Sequence, residues 1–281
     1  MAKKNCERRV QGHPGRQRLT AIGVFDSGIG GLSILKALRT ELPYEDFVYV
    51  ADSAHAPYGE REDAHVIERS RAITQHLQTR HHIKALVIAC NTATAAAIHV
   101  LRQQHPALPI IGVEPALKPA LAGSKTRCIG VMATRSTLGS AKFRTLIESL
   151  ADQANFVCQP CDGLADAIEH EDTKKIIALC ANYTEAMGQF GINDGQIDTL
   201  VLGCTHYPFA NEHLTRLLGP QVRLIDNGEP VARQTRRMLT TLSPPENPGH
   251  CLLLTTGEPT SVRNAAQHWL ALDCPVESLL I

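Results

Sequence analysis

The chain has 281 residues, 43% of them hydrophobic, enough for one large or two medium domains with well-buried cores, which excludes extensive disorder. Its 28 Lys and Arg balance 28 Asp and Glu, so net charge offers no attraction toward nucleic acid or an anionic membrane, and the expected ligand is a small molecule. No apolar run approaches the roughly 18 to 20 residues of a bilayer span.

Residues 1–18 are basic and polar and lack the apolar centre of a signal peptide, so they read as a flexible cytoplasmic arm. Short apolar runs bounded by turn residues follow at 20–28, 46–52, 84–90 and 109–115 and read as strands. Helical patterns at 32–42, 64–78 and 92–103 fall between them. Such alternation predicts a parallel sheet with helices on both faces. Runs at 127–137, 155–161, 198–206 and 222–230 repeat the series, with Asp26, Cys90 and Glu114 paralleled by Thr134, Cys204 and Asp226. The expected fold class is therefore α/β, with two pseudo-symmetric doubly wound domains of mainly parallel strands and an active site in the cleft between them. The expected domains are 19–115 plus 227–281, the first being discontinuous because CLLLTT and VESLLI return to it as strands, and 116–226.

Open parallel sheets bind ligands beyond the carboxyl ends of their strands. Asp26 and Ser27, Asp52 and Ser53, Cys90 to Thr92, Glu114, Thr134, Cys204 to His206 and Asp226 all follow apolar strands directly. In ALVIACNTATAAA and TLVLGCTHYPFA a cysteine ends the run, followed by Asn91 and Thr92 in one and Thr205 and His206 in the other. Taken alone, either cysteine reads as packing. Together they suggest two sulfurs meeting in one cleft, one on each side of an amino acid's α-carbon. One thiolate could then remove the α-proton while the other thiol donates to the opposite face. Both cysteines directly precede predicted helices, whose N-termini stabilise thiolates. Ser27, Asn91, Thr92, Thr205 and backbone N–H groups could hold the substrate carboxylate, and Asp26 and His206 could adjust proton positions. Thr92, Thr134 and Thr205 also suit helix N-caps.

GIGGLS fails the dinucleotide fingerprint, since Ser33 stands where a third glycine belongs, and its glycines read as room for a small anion. Cys158 and Cys161 in CQPC have the spacing of a redox motif but too few ligands for structural zinc. Nine cysteines without framework spacing suit a reducing compartment. Cys6, Cys128, Cys180, Cys251 and Cys274 read as small hydrophobes, and His81 and His82 as a solvated helix end.

The motifs FDSGIGGLS, PYGE, ACNTATA, GVEPA, GVMATRST, GCTHYPF and DNGEPVAR, in this order, resemble those of the glutamate racemases, within the cofactor-independent aspartate/glutamate racemase superfamily. The resemblance runs from about Leu19 to the C-terminus. It implies interconversion of L- and D-glutamate, the D form supplying peptidoglycan, with no cofactor and no metal. It also implies that Cys90 acts on D-glutamate and Cys204 on L-glutamate. Asp26, Ser27, Tyr58, Gly59, Asn91, Thr92, Thr134, Thr205 and His206 would surround the substrate, with Glu169 near His206 and the ammonium group. His55 stands where relatives often carry Arg. As partners, the resemblance implies a homodimer and, as in some members, a cell-wall precursor nucleotide as activator. The competing readings are aspartate racemization, decarboxylation of a substituted malonate, and a two-domain amino-acid-binding module without turnover. A decarboxylase needs one proton donor and a binding module needs no sulfur, so the cysteine pair favours a racemase.

Overall fold

The computed structural model describes residues 21–239, 242 and 247–281; the arm expected at 1–18, with Cys6, lies outside them. In chain order, β1 (Ile22–Asp26) leads to α1 (Leu32–Glu41), β2 (Phe47–Ala51) to α2 (Asp63–His81), β3 (Ala85–Ile88) to α3 (Asn91–Gln104), and β4 (Ile110–Gly112) to α4 (Leu117–Gly123). The series restarts with β5 (Cys128–Ala133), α5 (Arg135–Gly139), α6 (Ala141–Glu148), β6 (Asn155–Pro160), α7 (Leu164–Glu169) and α8 (Thr173–Met187). It continues through β7 (Thr199–Leu202), α9 (Asn211–Leu218), β8 (Arg223–Ile225) and α10 (Gly228–Met238). The chain then adds β9 (Cys251–Thr255), α11 (Pro259–Leu270) and β10 (Val276–Ser278).

Two sheets result, in the orders β10-β9-β2-β1-β3-β4 and β6-β5-β7-β8, and every strand pairing in them is parallel. Each contains the same second-first-third-fourth arrangement, so the repetition expected from sequence is present in the topology. The first sheet extends it with the two late strands.

Strands β1, β2 and β3 are buried at every residue. Helices cover both faces of the sheet, so no alternation of polar and apolar residues survives in these strands. Separate apolar clusters fill the two faces of the first sheet, around Leu35 and Leu253 on one side and Ile73 and Leu86 on the other. A further pair of clusters does the same for the second sheet. Helix α2 runs three residues past its expected end and closes at His82 in the left-handed conformation (φ 48°), so His81 and His82 do form a helix end.

In this strand order the direction of winding reverses between the first and third strands, leaving a crevice at their carboxyl ends. Asp26 and Cys90 flank that crevice in the first sheet, and Thr134 and Cys204 flank its counterpart in the second.

Candidate active site

The two crevices meet in one narrow cleft, with Cys90 and Cys204 contributed to its wall by different sheets. Ser27, Tyr58, Gly59, Asn91, Thr92, Thr134, Thr205 and His206 also line it. Asp26 and Glu169 stand behind this lining and touch it through other side chains. Glu114 lies elsewhere, paired with Lys142 at 2.8 Å, and Asp226 accepts from the Gly228 N–H at 2.8 Å at the start of α10.

The two cysteines are held differently. Cys90 is the N-cap of α3: its backbone is extended, its carbonyl accepts from the Thr94 N–H at 2.9 Å, and its sulfur accepts from the Ala93 N–H at 3.4 Å. The sulfur thus occupies the acceptor position that Ser or Asp usually fills. Cys204 has no such α-helix, contrary to expectation. Pro208, four residues on, has no N–H to give the Cys204 carbonyl, which accepts instead from Tyr207 at 3.1 Å. The chain tightens into a short 3-10 turn, Tyr207–Ala210, and α9 begins only at Asn211. The partner of the Cys204 sulfur is His206, whose Nδ1 is 3.8 Å away.

Each cysteine therefore heads a relay ending in a carboxylate. On one side, Cys90 Sγ lies 4.0 Å from Ser27 Oγ, which donates to Asp26 Oδ1 at 3.4 Å. Asp26 also accepts from the Gly28 N–H at 2.8 Å and from Thr205 Oγ1 at 2.9 Å. Burial outweighs these bonds and pushes the Asp26 carboxyl up to about 6. Burial, and next the charge of Asp26, hold the Cys90 thiol above its ordinary range.

On the other side, His206 Nε2 bonds Glu169 Oε2 at 2.7 Å. Glu169 accepts further from the Ile29 N–H at 3.0 Å and from Ser53 Oγ at 3.3 Å. Burial pulls the His206 imidazole down, but its hydrogen bonds to Cys204 and Glu169 more than reverse this and hold it well above its usual value. Burial likewise raises Glu169, and the His206 contact outweighs it, leaving the carboxyl low. The result is an imidazolium between a sulfur and a carboxylate.

The glycines of GIGG make room for this second relay. A Cβ on Gly30 would lie 2.3 Å from His206 Nδ1, and one on Gly28 would lie 2.3 Å from Glu169 Oε1. Only a bare backbone lets β1's loop approach the opposite sheet so closely.

Arg69 and Thr256 escaped the sequence reading, and both converge on Asp52. Asp52 receives Arg69 Nε and Nη2, both at 2.9 Å, the Tyr58 hydroxyl at 2.6 Å and Thr256 Oγ1 at 2.8 Å. Burial raises the Asp52 carboxyl, but Arg69 and Tyr58 outweigh it and keep it low. His55 Nδ1 lies 3.0 Å from the same carboxylate, so His55 belongs to the group that holds Tyr58 in place. Cys161, Asp162 and Asp166 complete the rim. Cys161 is buried while Cys158 is exposed, and both thiols are free. Among the described residues, no cluster of His, Cys, Asp and Glu has the makings of a metal site, and no helix is long and apolar enough to cross a membrane.

Residues 23–235 match the family model described as Asp/Glu/Hydantoin racemase. A glutamate racemase of Ectopseudomonas mendocina (strain ymp) is 47% identical over 225 residues, which cover 79% of this chain and 83% of that protein. The crystal structure of a glutamate racemase isoform from Bacillus anthracis matches with a TM-score of 0.82 at 29% identity, over 94% of this chain and 98% of that one. The Escherichia coli glutamate racemase, solved with L-glutamate and the activator UDP-MurNAc-Ala, matches with a TM-score of 0.77 at 28% identity, over 92% and 98%. Sequence and architecture agree over most of the molecule, as the motifs lead one to expect, and the chain belongs to the Asp/Glu/hydantoin racemase family.

Proposed function

We propose that the protein interconverts L- and D-glutamate by proton transfer between two thiols and the α-carbon, in the cytoplasm, and that its D-glutamate feeds peptidoglycan synthesis. The observation that carries this reading is the pair of sulfurs, Cys90 and Cys204, reaching one cleft from two sheets. With L-glutamate bound, the Cys204 thiolate takes the α-proton and the Cys90 thiol delivers one to the opposite face; D-glutamate reverses the roles. The His206 imidazolium supports negative charge on the Cys204 sulfur. On the Cys90 side, Ser27 and Asp26 form the path along which a proton is held or released. Ser27, Asn91, Thr92, Thr134 and Thr205 donate to the substrate carboxylates, while Tyr58 and Gly59 shape the wall beside them. Tyr58 stays a neutral phenol, because burial and then the Asp52 charge push its ionisation up.

A cell-wall precursor nucleotide is the second small molecule proposed here, by analogy with the Escherichia coli enzyme, whose structure contains UDP-MurNAc-Ala as activator. The test is the circular dichroism of L-glutamate incubated with the protein, with and without that nucleotide. Decay of the signal to zero is expected, and it should disappear in Cys90→Ser and Cys204→Ser. A constant signal in both conditions, with saturable glutamate binding, would replace the racemase by a binding module.

A further inference from the structure

Cys251 and Cys274 read from sequence as two unrelated small hydrophobes. Cys251 opens β9, and Cys274 stands just before β10. The two strands pair in parallel with Val276 opposite Leu253, and the Leu253 N–H donates to the Pro275 carbonyl at 3.0 Å. Carrying this register back two residues sets Cys274 opposite Cys251. Adjacent strands run about 4.8 Å apart, inside the Cα separation of roughly 4.4 to 6.8 Å that a disulfide spans. Opposed residues share a face of the sheet, and both side chains pack into the same apolar cluster. Their thiols lie close enough to interact, with Arg39, in the last turn of α1, beside the Cys251 sulfur.

We propose that Cys251 and Cys274 form a thiol–disulfide exchange site that reacts with low-molecular-weight disulfides and closes into an intramolecular bond fastening edge strand β10 to β9. The contact with Cys274 and then the Arg39 charge, working against burial, hold the Cys251 thiol below its ordinary range, so Cys251 is the attacking sulfur. Its thiolate attacks one sulfur of R–S–S–R, breaking that bond and releasing RS⁻. Cys274 gives its proton to solvent and attacks the Cys251 sulfur, releasing the second RS⁻. The two protein thiols lose two electrons, and the small disulfide gains them as two thiols.

The site also has a mechanical connection. Beyond β10 the chain runs on to Ile281, whose carbonyl accepts from Arg69 Nη1 at 3.0 Å, and Arg69 holds Asp52 and through it Tyr58. A bond at Cys274 would fasten the segment ahead of β10, while Arg69 holds the segment after it.

The experiment is incubation of the full chain with oxidised glutathione, alkylation of the remaining thiols, and peptide mass mapping. A Cys251–Cys274 cross-linked peptide is expected, together with a rise of several degrees in Tm that dithiothreitol reverses. Exposed Cys158 serves as an internal control and should carry glutathione as a stable mixed disulfide. In Cys274→Ser, Cys251 should hold glutathione and the Tm rise should vanish. The proposal is overturned if Cys158 is glutathionylated while Cys251 and Cys274 are both recovered alkylated, or if Cys251 oxidises with another cysteine.

Discussion

Replacing Glu169 by Gln tests whether the carboxylate behind His206 controls one face of the reaction. The side chain now accepts from His206 at 2.7 Å, from the Ile29 N–H at 3.0 Å and from Ser53 at 3.3 Å, using both oxygens. Glutamine has one acceptor and no charge, so its amide must turn an N–H toward a donor on one side. Losing a charge-assisted bond of this kind costs about 1.5–3 kcal/mol, equivalent to roughly 10- to 150-fold in rate at 1.36 kcal/mol per decade. The pH profile follows with a definite sign. Burial lowers the His206 imidazole, and Cys204 and Glu169 raise it above its usual value. Without Glu169 it falls, so the imidazolium, present only below its pKa, disappears at a lower pH. The alkaline limb of Cys204-dependent proton removal should therefore move to lower pH. Full turnover hides this asymmetry, because mirror-image substrates fix the ratio of kcat/KM in the two directions. The assay is elimination from L- and D-glutamate analogues carrying a β-leaving group, which follows a single deprotonation. Glu169→Gln should slow the L analogue roughly 10- to 150-fold and leave the D analogue within a few-fold. Equal losses for both, or an unmoved alkaline limb, would refute this assignment.

Gly30→Ala places a methyl 2.3 Å from His206 Nδ1 and should cost about a hundredfold in the same L-analogue elimination; Gly139→Ala, with nothing within 4 Å, should leave it unchanged. Burial raises Asp26 to about 6 from 3.8, so the folded state holds its proton longer, and stability falls as pH rises between these values. The shift corresponds to about 3 kcal/mol, so Asp26→Asn should flatten the urea-unfolding difference between pH 4 and 6.5 by an amount of that order; an undiminished slope would place the titration elsewhere. Racemization should survive exhaustive chelation with no added cofactor, and activity that returns only with a divalent metal would overturn the two-thiol account.

The strands were legible because a sheet covered on both faces leaves unbroken apolar runs, and the cysteines because each ends such a run at a crevice. What escaped the sequence depends on distant partners. Arg69 lies in an amphipathic helix like any surface arginine until Asp52 is brought beside it. The glycines of GIGG read as room for a small anion, and that His206 and the Glu169 carboxylate come against them from the other half of the chain could not be read from sequence. Cys204 looked like a helix cap, and Pro208 removes the hydrogen bond that would have made it one. Cys251 and Cys274 become neighbours only through the register of β9 and β10.

The bonds between the sheets have a consequence for how a ligand reaches the sulfurs. Cys90 is 5% exposed and Cys204 6%, so a molecule the size of an amino acid can meet them only if the sheets part. Parting breaks Thr205 to Asp26 at 2.9 Å, Ser33 to the Thr205 carbonyl at 2.9 Å, Thr92 to Thr134 at 3.2 Å, and the Glu169 bonds to Ile29 and Ser53. At about 1 kcal/mol each, this polar latch totals a few kcal/mol and leaves the open form a minority of about 1% or less. Apparent affinity is reduced by that fraction. Thr92, Thr134 and Thr205, which would grip the substrate, thus also help to bar its way, and a ligand is admitted only as its own carboxylates take over hydrogen bonds the protein gives up.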